Sequence, residues 1–463
     1  MKRPVTPPFI GDLLARVLRA PEGTVRFETL WQAGLGPAPG NRYRHWDTFR
    51  HAPPLAGFSA EEQWLVVRTA RDAMARPFPL RDEAGRPFTV GLPAPALDML
   101  HRMDREVGGA GGGVLAGLHP ASGPATRDGH RIRSIMEEAI TSSQLEGAST
   151  TRRVARAMLR EGRPAATRSE RMIRNNYDGM RMVREQATAP LTPTFIRQLQ
   201  QTLTEGTLDD GEAAGRLRRT EEHIVIEDET GTLLHRPPPA DQLPARLEAL
   251  CAFANGEAET EFWHPVVRAI LLHFWLAYDH PFVDGNGRTG RALFYWAMAR
   301  AGYWWCEYVS ISRILRTARG SYSRAYLYVE TDRNDATYFV LHQLRTIGRG
   351  IADLQAYLQQ EVRALHDVEG LVSRARLGEP ALNGRQLAVL REALATTHPR
   401  FTVAAHQRTH GTSYQTARTD LLRLASLGLL WQAKVGKAFV FVPPDDLAAR
   451  LQGQPSGRHT PDF

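Results

Sequence analysis

The spacing of apolar residues along the chain predicts a mainly α protein. An apolar, aromatic run over residues 266–278 predicts a buried helix, and residues 292–298 predict a second one. Pro281 lacks a backbone N–H and disfavours helical geometry in the residue before it, so we expect the first helix to end near His280. The loop between these two helices is the point around which the other predicted elements are arranged.

Amphipathic periodicity predicts further helices on both sides of this pair. They cover residues 132–146, 152–186, 192–206, 308–319, 322–329, 338–347 and 351–376. Two short β-like runs, residues 223–227 and 232–235, flank a turn and predict a hairpin. Because an isolated hairpin is only marginally stable, we expect it to lie against another part of the protein.

The pattern changes in the C-terminal part of the chain. Helical patterns at residues 385–395 and 413–424 surround an extended piece at 401–403, and a hairpin pattern follows at 431–442. This order resembles a winged helix-turn-helix, in which residues 413–424 would take the recognition position.

Breaks rich in Gly and Pro divide the chain into six predicted parts. They are an N-terminal mostly helical region (1–105), a Gly-rich linker (106–130), a helical core (131–348), a connecting helix (349–378), a winged helix (379–445) and a disordered tail (446–463).

Composition is that of an ordinary globular protein, with 42% hydrophobic and 23% charged residues among 463. The net charge of +8 is carried almost entirely by scattered arginines, which is a weak indication of nucleic-acid binding. Cys251 and Cys306 provide neither a disulfide framework nor metal-ligand spacing. No secretory signal or apolar run of about 20 residues is visible, so we expect a soluble, cytoplasmic protein that does not enter a membrane.

The loop over residues 280–291, called the signature loop below, concentrates groups suited to phosphate chemistry. Gly285 and Gly287 allow positive φ, and the unpaired N–H groups at the start of the next helix form an anion-binding concavity. Arg288 and Arg291 lie three residues apart and can face that anion from one side of the helix. The loop therefore predicts a phosphate site.

Two further residues of the loop suit the chemistry at such a site. Asp284 is a hard oxygen ligand for Mg²⁺, and His280 can act as a general base because its reference pKa lies near neutrality. Taken singly, each residue also fits a polar, Gly-rich turn between two core helices. Their occurrence together within twelve positions favours a functional site.

The signature loop resembles the motif H-x-F-x-D-G-N-G-R-x-x-R of Fic-family proteins at every specified position. The resemblance implies transfer of AMP from ATP onto a Ser, Thr or Tyr hydroxyl of a target protein. The resemblance implies that His280 is the general base and that Asp284 is a ligand of Mg²⁺. Asn286 and the amides of Gly285 and Gly287 would bind the α- and β-phosphates. Arg288 would bind the β-phosphate and Arg291 the γ-phosphate. A kinase-like branch of the family departs at the second glycine, which this chain keeps as Gly287.

Upstream, the sequence Ser142-x-x-x-Glu146-Gly147 resembles the inhibitory-helix motif of one class of Fic proteins. The resemblance implies that Glu146 pairs with Arg291 and takes the place of the γ-phosphate. The same residues also fit a plain amphipathic helix that ends at a glycine, an alternative that stays open at this point.

Two further sets of residues have roles implied by the resemblance. Ile224, Val225 and Ile226 fall in the hairpin that corresponds to the flap (residues 221–236), which grips a target segment by strand addition. Tyr322 and Tyr326 would flank the adenine of ATP, although both also fit a core position. The resemblance covers roughly residues 130–348.

The winged helix predicts DNA as a second partner, and interaction with another protein is the alternative. Residues that would face DNA are Tyr414, Gln415, Thr416, Arg418, Lys434 and Lys437. Three functions therefore stay open: a protein adenylyltransferase, a DNA-binding regulator whose core senses nucleotide, and an enzyme with other nucleotide chemistry or AMP removal. The sequence identifies neither the target protein nor the oligomeric state.

Overall fold

The computed structural model describes residues 1–107, 124–227, 230–257, 261–374, 381–396, 399–435 and 438–452. Over these residues the chain is mainly α, which confirms the predicted fold class, and its strands form three small antiparallel sheets. None of the helices in the described ranges is long and apolar enough to cross a bilayer.

The N-terminal region contains five helices and a hairpin. Its elements are α1 (Ile10–Arg19), α2 (Gly23–Gln32), α3 (Trp46–Phe49), α4 (Ala60–Met74), β1 (Arg76–Arg81), β2 (Pro87–Val90) and α5 (Ala94–Val107). The β1–β2 hairpin was not predicted. Its apolar residues, from Phe78 onward, belong to the same core as the central helices, so residue 105 does not separate two cores.

In its described residues, the central part of the chain contains ten α-helices and the predicted short hairpin. Its elements are α6 (Pro124–Leu145), α7 (Arg152–Glu161), α8 (Arg168–Glu185), α9 (Pro193–Thr204), β3 (Ile226–Glu227), β4 (Leu233–His235), α10 (Leu243–Asn255), α11 (Pro265–Asp279), α12 (Asn286–Arg300), α13 (Ile311–Thr317), α14 (Arg319–Thr331) and α15 (Thr337–Arg374). Helices α11 and α12 lie at the centre of this core. Helix α11 is buried and apolar along most of its length, whereas α12 buries apolar side chains from Ala292 to Met298 after a polar beginning.

The C-terminal part has its own apolar core, to which the end of α15 contributes Val368. Its elements are α16 (Gly384–Ala395), β5 (Phe401–Thr402), α17 (Val403–His410), α18 (Tyr414–Ser426), β6 (Trp431–Val435), β7 (Ala438–Val442) and α19 (Leu447–Leu451). Helix α17 packs against α6 and α7, where the Arg408 guanidinium donates to the Arg160 carbonyl. The winged-helix assignment itself stays a prediction.

Four predicted boundaries were wrong. Helix α15 is continuous from residue 337 to 374, whereas the sequence predicted two helices separated near residue 348. The linker predicted to reach residue 130 ends earlier, because α6 begins at Pro124, and its residues 108–123 lie outside the described ranges. The predicted strand over 223–227 is limited to Ile226–Glu227.

The fourth error concerns the tail, which was predicted to be disordered from residue 446. Residues 447–451 instead form α19, because Leu447 and Leu451 are buried in the C-terminal core. Residues 453–463 lie outside the described ranges.

Candidate active site

The candidate site begins where α11 ends. His280 is the residue after the last helical turn, with φ 46° and ψ 56°, and its N–H donates to the Leu276 carbonyl at 3.0 Å. Pro281 prevents the helix from continuing, as predicted. The left-handed geometry turns the chain out of α11 and leaves the His280 ring half-buried at the site.

The signature loop is held in shape by its own side chains. Phe282 is fully buried and anchors the loop in the core. The Asn286 side chain accepts from the Phe282 N–H at 3.0 Å and donates to the Phe282 carbonyl at 2.7 Å. Both polar atoms of the Asn286 amide are therefore engaged within the loop, which leaves its backbone N–H for a phosphate. Gly285, at φ 84°, caps α12 in a conformation that favours glycine.

Arg288 lies fully buried under the loop. Its Nη1 donates to the Leu203 carbonyl at 2.6 Å, and its Nη2 lies 3.4 Å from Asp284 Oδ2. Its Nε is buried without a hydrogen-bond partner. Asp284 accepts from the Gly285 N–H at 2.5 Å through its other oxygen, and its side chain is 43% exposed.

Arg291, the last residue of the signature loop, connects the loop to α6. Its Nε donates to Ser142 Oγ at 2.8 Å, and its Nη2 donates to the Ser142 carbonyl at 3.1 Å and to Glu146 Oε1 at 2.8 Å. Only 2% of the Arg291 side chain and 29% of the Glu146 side chain are exposed. The structure thus brings two of the three predicted inhibitory residues, Ser142 and Glu146, to the predicted arginine, and Gly147 follows Glu146 with φ 94°.

The Glu146 carboxylate lies over the beginning of α12. A methyl group at Gly287 would collide with Glu146 Oε1, so the carboxylate approaches the helix at a position that only glycine permits. Burial alone would raise the pKa of Glu146, but the guanidinium groups of Arg291 and Arg288 outweigh burial and hold it below its usual value. An ionised carboxylate therefore stands where the unpaired N–H groups of a helix start attract an anion.

His280 is neutral at physiological pH. Burial lowers its pKa to about 4, against the Ala277 carbonyl and Glu146, which raise it. Its Nδ1 lies 3.4 Å from the Ala277 carbonyl oxygen. A proton on Nδ1 directed at this carbonyl would leave Nε2 with its lone pair.

Two residues that support the loop were missed from the sequence. Gln200 on α9 donates to the Asp284 carbonyl at 2.9 Å and accepts from the Gly215 N–H at 2.6 Å. Arg218 donates to the His280 carbonyl at 2.9 Å through Nε and to the Pro281 carbonyl at 2.9 Å through its backbone N–H. Both lie more than 60 residues from the loop along the chain, so no local pattern points to them.

The predicted flap residues lie on a short extended segment beside His280. Val225 is 40% exposed, while Ile224 and Ile226 are partly covered, the alternation of an extended chain. Ile226 pairs with His235 across the hairpin, and the His235 ring lies 2.7 Å from the Tyr278 carbonyl at the end of α11. The flap therefore rests on the end of α11, next to His280.

The two predicted adenine residues lie deeper in the protein, on α14. The Tyr322 hydroxyl lies 2.8 Å from His273 Nε2 and 3.1 Å from the Tyr326 hydroxyl, and both rings pack against the central core. Both tyrosines lie near Arg291. This position fits either of the two roles that the sequence left open, adenine binding or core packing.

The residues predicted to face DNA lie away from the signature loop. Tyr414, Gln415 and Arg418 are exposed on α18, Thr416 is partly covered, and Lys434 is exposed on β6. Lys437 lies outside the described residues.

The residues at the loop fit a magnesium nucleotide. Mg²⁺ usually takes one or two protein carboxylates and completes its shell with phosphates and water, and Asp284 offers one half-exposed carboxylate. In the described ranges no three His, Cys, Asp or Glu side chains form a metal cluster, so any cation there would depend on its phosphates. The unpaired Nε of Arg288 is a further donor close to the same place.

Comparison with known proteins points to one family. Residues 190–298 match the Fic/DOC family. Over 90 residues, 19% of this chain, the sequence is 37% identical to protein adenylyltransferase Fic of Nematostella vectensis and covers 19% of that protein. Over 69 residues, 15% of this chain, it is 42% identical to the protein of the same name from Drosophila virilis and covers 14% of it. The chain thus spans less than a fifth of the length of the curated relatives that it matches.

Solved structures with similarity to the chain include a Fic family protein from Desulfovibrio desulfuricans G20, with a TM-score of 0.45 and 19% identity over 75% of this chain and 95% of that one. A fragment of Fic-1 from C. elegans has a TM-score of 0.43 and 18% identity over 67% of this chain and 79% of that one. The match of residues 190–298 to the Fic/DOC family agrees with the resemblance predicted from the signature loop.

Proposed function

We propose that this protein is an adenylyltransferase that moves AMP from ATP onto a Ser, Thr or Tyr hydroxyl of a target protein or of itself. The observation that carries the proposal is the arrangement at the signature loop, where a neutral histidine lies beside the start of α12 and two buried arginines. The names of the curated relatives support the same activity.

In the proposed mechanism, His280 Nε2 takes the proton of the target hydroxyl as its oxygen attacks the α-phosphorus of ATP. The bond between the α-phosphorus and the bridging oxygen breaks, and pyrophosphate leaves. Asp284 would hold Mg²⁺ on the phosphates, while Arg288 and Arg291 would bind the β- and γ-phosphates. The extended segment at Ile224, Val225 and Ile226 would pair with the target backbone beside His280.

We further propose that the protein is autoinhibited by Glu146. Its carboxylate already holds Arg291 at 2.8 Å and lies against Gly287, so a γ-phosphate would have to displace it. ATP that binds without this contact has its α-phosphorus out of line with the attacking hydroxyl. A displacement of about 1 Å from the reactive geometry can cost roughly 10²-fold in rate.

Two other functions compete with transfer. A nucleotide sensor needs the phosphate site but no base, and the neutral His280 argues against it. AMP removal or transfer of another nucleotide would use the same groups and stays an alternative.

DNA binding by the C-terminal part is an additional function, supported by the exposed Tyr414 and Arg418 on α18. A cytoplasmic location remains a prediction.

The proposed activity is tested by incubating the protein with Mg²⁺ and ATP labelled at the α-phosphate, and by locating the added AMP by mass spectrometry. His280→Ala should reduce incorporation by about 10²- to 10⁴-fold while ATP still binds, because the base is lost and the phosphate site is kept. His101→Ala, which removes an exposed histidine on α5, is the matched control and should behave as wild type. Equal incorporation by wild type and His280→Ala would exclude this mechanism.

A further inference from the structure

The second strand of the flap ends in a buried histidine. His235 is 8% exposed, whereas Leu233, two residues earlier on β4, is 40% exposed. The His235 ring packs against the ring of Tyr278 on α11, with the ring centroids 4.7 Å apart. Its side chain therefore points from the hairpin into the protein, toward the end of the helix that precedes His280.

Both ring nitrogens of His235 face atoms that accept hydrogen bonds. Nε2 lies 2.7 Å from the Tyr278 carbonyl oxygen, and Nδ1 lies 2.8 Å from Glu330 Oε1 on α14. A carbonyl and an ionised carboxylate cannot donate, so each contact needs a proton on the ring nitrogen. A neutral imidazole has one N–H and satisfies one of the two acceptors, whereas the imidazolium satisfies both. The contacts therefore fit the charged form of His235.

The charges near His235 favour the same form. Burial lowers its pKa, but the hydrogen bond and the charge of Glu330 act against burial, and the Tyr278 carbonyl and Asp279 add to them. The pKa of His235 is consequently raised above its ordinary value of 6.5. The charged or titratable groups around the ring are Glu330 on α14, Tyr278, Asp279 and the neutral His280 at the end of α11, and the two arginines that contact Asp279, Arg218 and Arg246.

The hairpin is too short to hold the flap in place by itself. β3 has two residues and β4 has three, and a two-stranded hairpin is only marginally stable on its own. Beyond β4 the chain is fixed by Pro237 and Pro238, which are buried, and by Arg218, which donates to the Pro238 carbonyl. His235 fastens the strands themselves, because it pairs with Ile226 and reaches both α11 and α14.

We propose that His235 is a positioning residue for the target segment, whose doubly protonated ring locks the flap onto α11 and α14 beside His280. The lock consists of the two contacts to the Tyr278 carbonyl and Glu330. When the ring loses a proton, one of these acceptors is left without its donor. The flap then has to be ordered again before a target strand can pair with it, which weakens target binding. Transfer from a saturated complex is unchanged, since the bound target restores the flap.

The direction of the pH dependence follows from the raised pKa of His235. The lock contributes fully to the ordering of the flap below pH 6.5, and its contribution is lost as the pH rises through the raised pKa. The flap should therefore be more ordered at pH 6 than at pH 8.5. The role in target binding rests on the proposed function, whereas the lock itself does not.

The protonation of His235 is measured by NMR on the full chain with ¹³Cε1-labelled histidine, without ATP. His235→Gln identifies its resonance. This resonance should titrate at a higher pH in the folded chain than in the chain unfolded in urea, because Glu330 and the Tyr278 carbonyl stabilise the proton. Glu330→Gln should move the titration to lower pH. Glu185→Gln, which changes a side chain 69% exposed on α8, is the matched control and should leave it in place.

The lock is measured by hydrogen exchange of the backbone amides of residues 224–227 and 232–235 at several pH values, corrected for the intrinsic pH dependence of exchange. Protection in wild type should fall about tenfold between pH 6 and pH 8.5, because a hydrogen bond between charged groups is lost. In His235→Gln protection should not change with pH, since the amide does not titrate. Residues 286–300 of α12 are the internal control in every sample.

The role in target binding is measured at pH 6 with the His280→Ala chain as substrate and the Glu146→Gly chain as enzyme, so that modification occurs between two chains. Adding His235→Gln to the enzyme should raise KM for the substrate chain about tenfold and leave kcat unchanged. Adding His101→Gln, on α5, should change neither. A changed kcat with an unchanged KM contradicts the positioning role.

Two further results overturn the proposal. One is a His235 resonance that titrates alike in the folded and the unfolded chain, and the other is flap protection with the same pH dependence in wild type and His235→Gln. Absence of AMP incorporation at every pH would instead contradict the proposed function. The NMR and exchange measurements need no transfer, so they would still decide whether the lock exists.

Discussion

Arg291 shows how one side chain can serve two states of the site. Its guanidinium is nearly fully buried, and its donors reach both Ser142 and Glu146 on or after α6. A buried cation requires an anionic partner, because leaving it alone costs several kcal/mol. In the structure this partner is Glu146, and in the proposed transfer reaction it is a phosphate. The exchange of one anion for another keeps Arg291 paired throughout.

The lowered pKa of His280 determines how transfer should depend on pH. With a pKa of about 4, the imidazole is neutral at every pH above that value and is lost as a base only when the pH falls through it. We expect kcat at saturating ATP to stay flat between pH 8 and pH 5. The measurement is best made with an active variant such as Glu146→Gly, with the melting temperature recorded at each pH. A fall in kcat centred near pH 6.5 would contradict the environment described for His280.

The residues of the signature loop could be predicted from the sequence because they lie within twelve consecutive positions. The spacing alone places two arginines on one side of a helix start. Gln200 and Arg218 could not be predicted, because their contacts depend on how α9 and the segment before the flap fold back onto the loop. Nor does the sequence reveal that the Asn286 side chain closes the loop on Phe282.

Helix α6 is also held in place by a buried carboxylate, Glu138, one turn before Ser142. Glu138 is 2% exposed and accepts from the hydroxyl groups of Ser310 and Ser312 and from the Ser312 N–H. Ser143 and Asn176 add a second attachment one turn later. These contacts position the helix that leads to Glu146.

Loss of the Glu138 attachment should loosen α6. Glu138→Ala leaves buried donors at the start of α13 unsatisfied, which should reduce the free energy of unfolding by about 1–3 kcal/mol. Basal AMP transfer should rise, because Glu146 is held less firmly on Arg291. Urea unfolding and initial transfer rates check the two effects, with the exposed Glu83→Ala as control. Lower stability with unchanged transfer would mean that α6 does not restrain Glu146 through Glu138.

Helices were predicted correctly where a long apolar run is buried. They were predicted wrongly where a glycine, which can end a helix, instead allows two helices to pack closely. The apolar runs of α11 and α12 leave no alternative to buried helices. The predicted break between residues 347 and 351 includes Gly350, where a methyl group would collide with Val309, so this glycine permits close packing within a continuous helix. The β1–β2 hairpin was hidden because prolines and arginines interrupt its alternation.

At the largest scale, the C-terminal part of the chain packs directly on α6 and α7. Arg408 on α17 donates to the Arg160 carbonyl of α7, and Glu392 on α16 lies 3.6 Å from the Arg160 guanidinium. Tyr414, Gln415 and Arg418 on α18 are exposed, so this helix face is accessible to another molecule. This part therefore packs on the α6–α7 pair through α17 and exposes side chains of α18 to the solvent.

If α18 reads DNA, the full chain should bind a duplex with strong dependence on salt. For six to ten phosphate contacts, affinity should fall on the order of 10³-fold or more between 50 and 200 mM salt. Arg418→Gln should weaken binding and reduce the salt slope by about one, whereas Arg102→Gln, on α5, should change neither. Fluorescence anisotropy with a labelled duplex measures both quantities. Absent or salt-independent binding would assign this part to protein interaction.

The most direct test of an inhibited adenylyltransferase is the initial rate of AMP incorporation at saturating ATP and Mg²⁺ in wild type and Glu146→Gly. The variant should be faster by roughly 10²-fold, because the γ-phosphate can then reach Arg291. Glu185→Gly, which removes a side chain 69% exposed at the end of α8, is the matched control and should match wild type. Arg291→Ala should not be activated, and Glu146→Gly combined with Arg291→Ala should resemble Arg291→Ala alone. Equal rates for wild type and Glu146→Gly would contradict inhibition by Glu146.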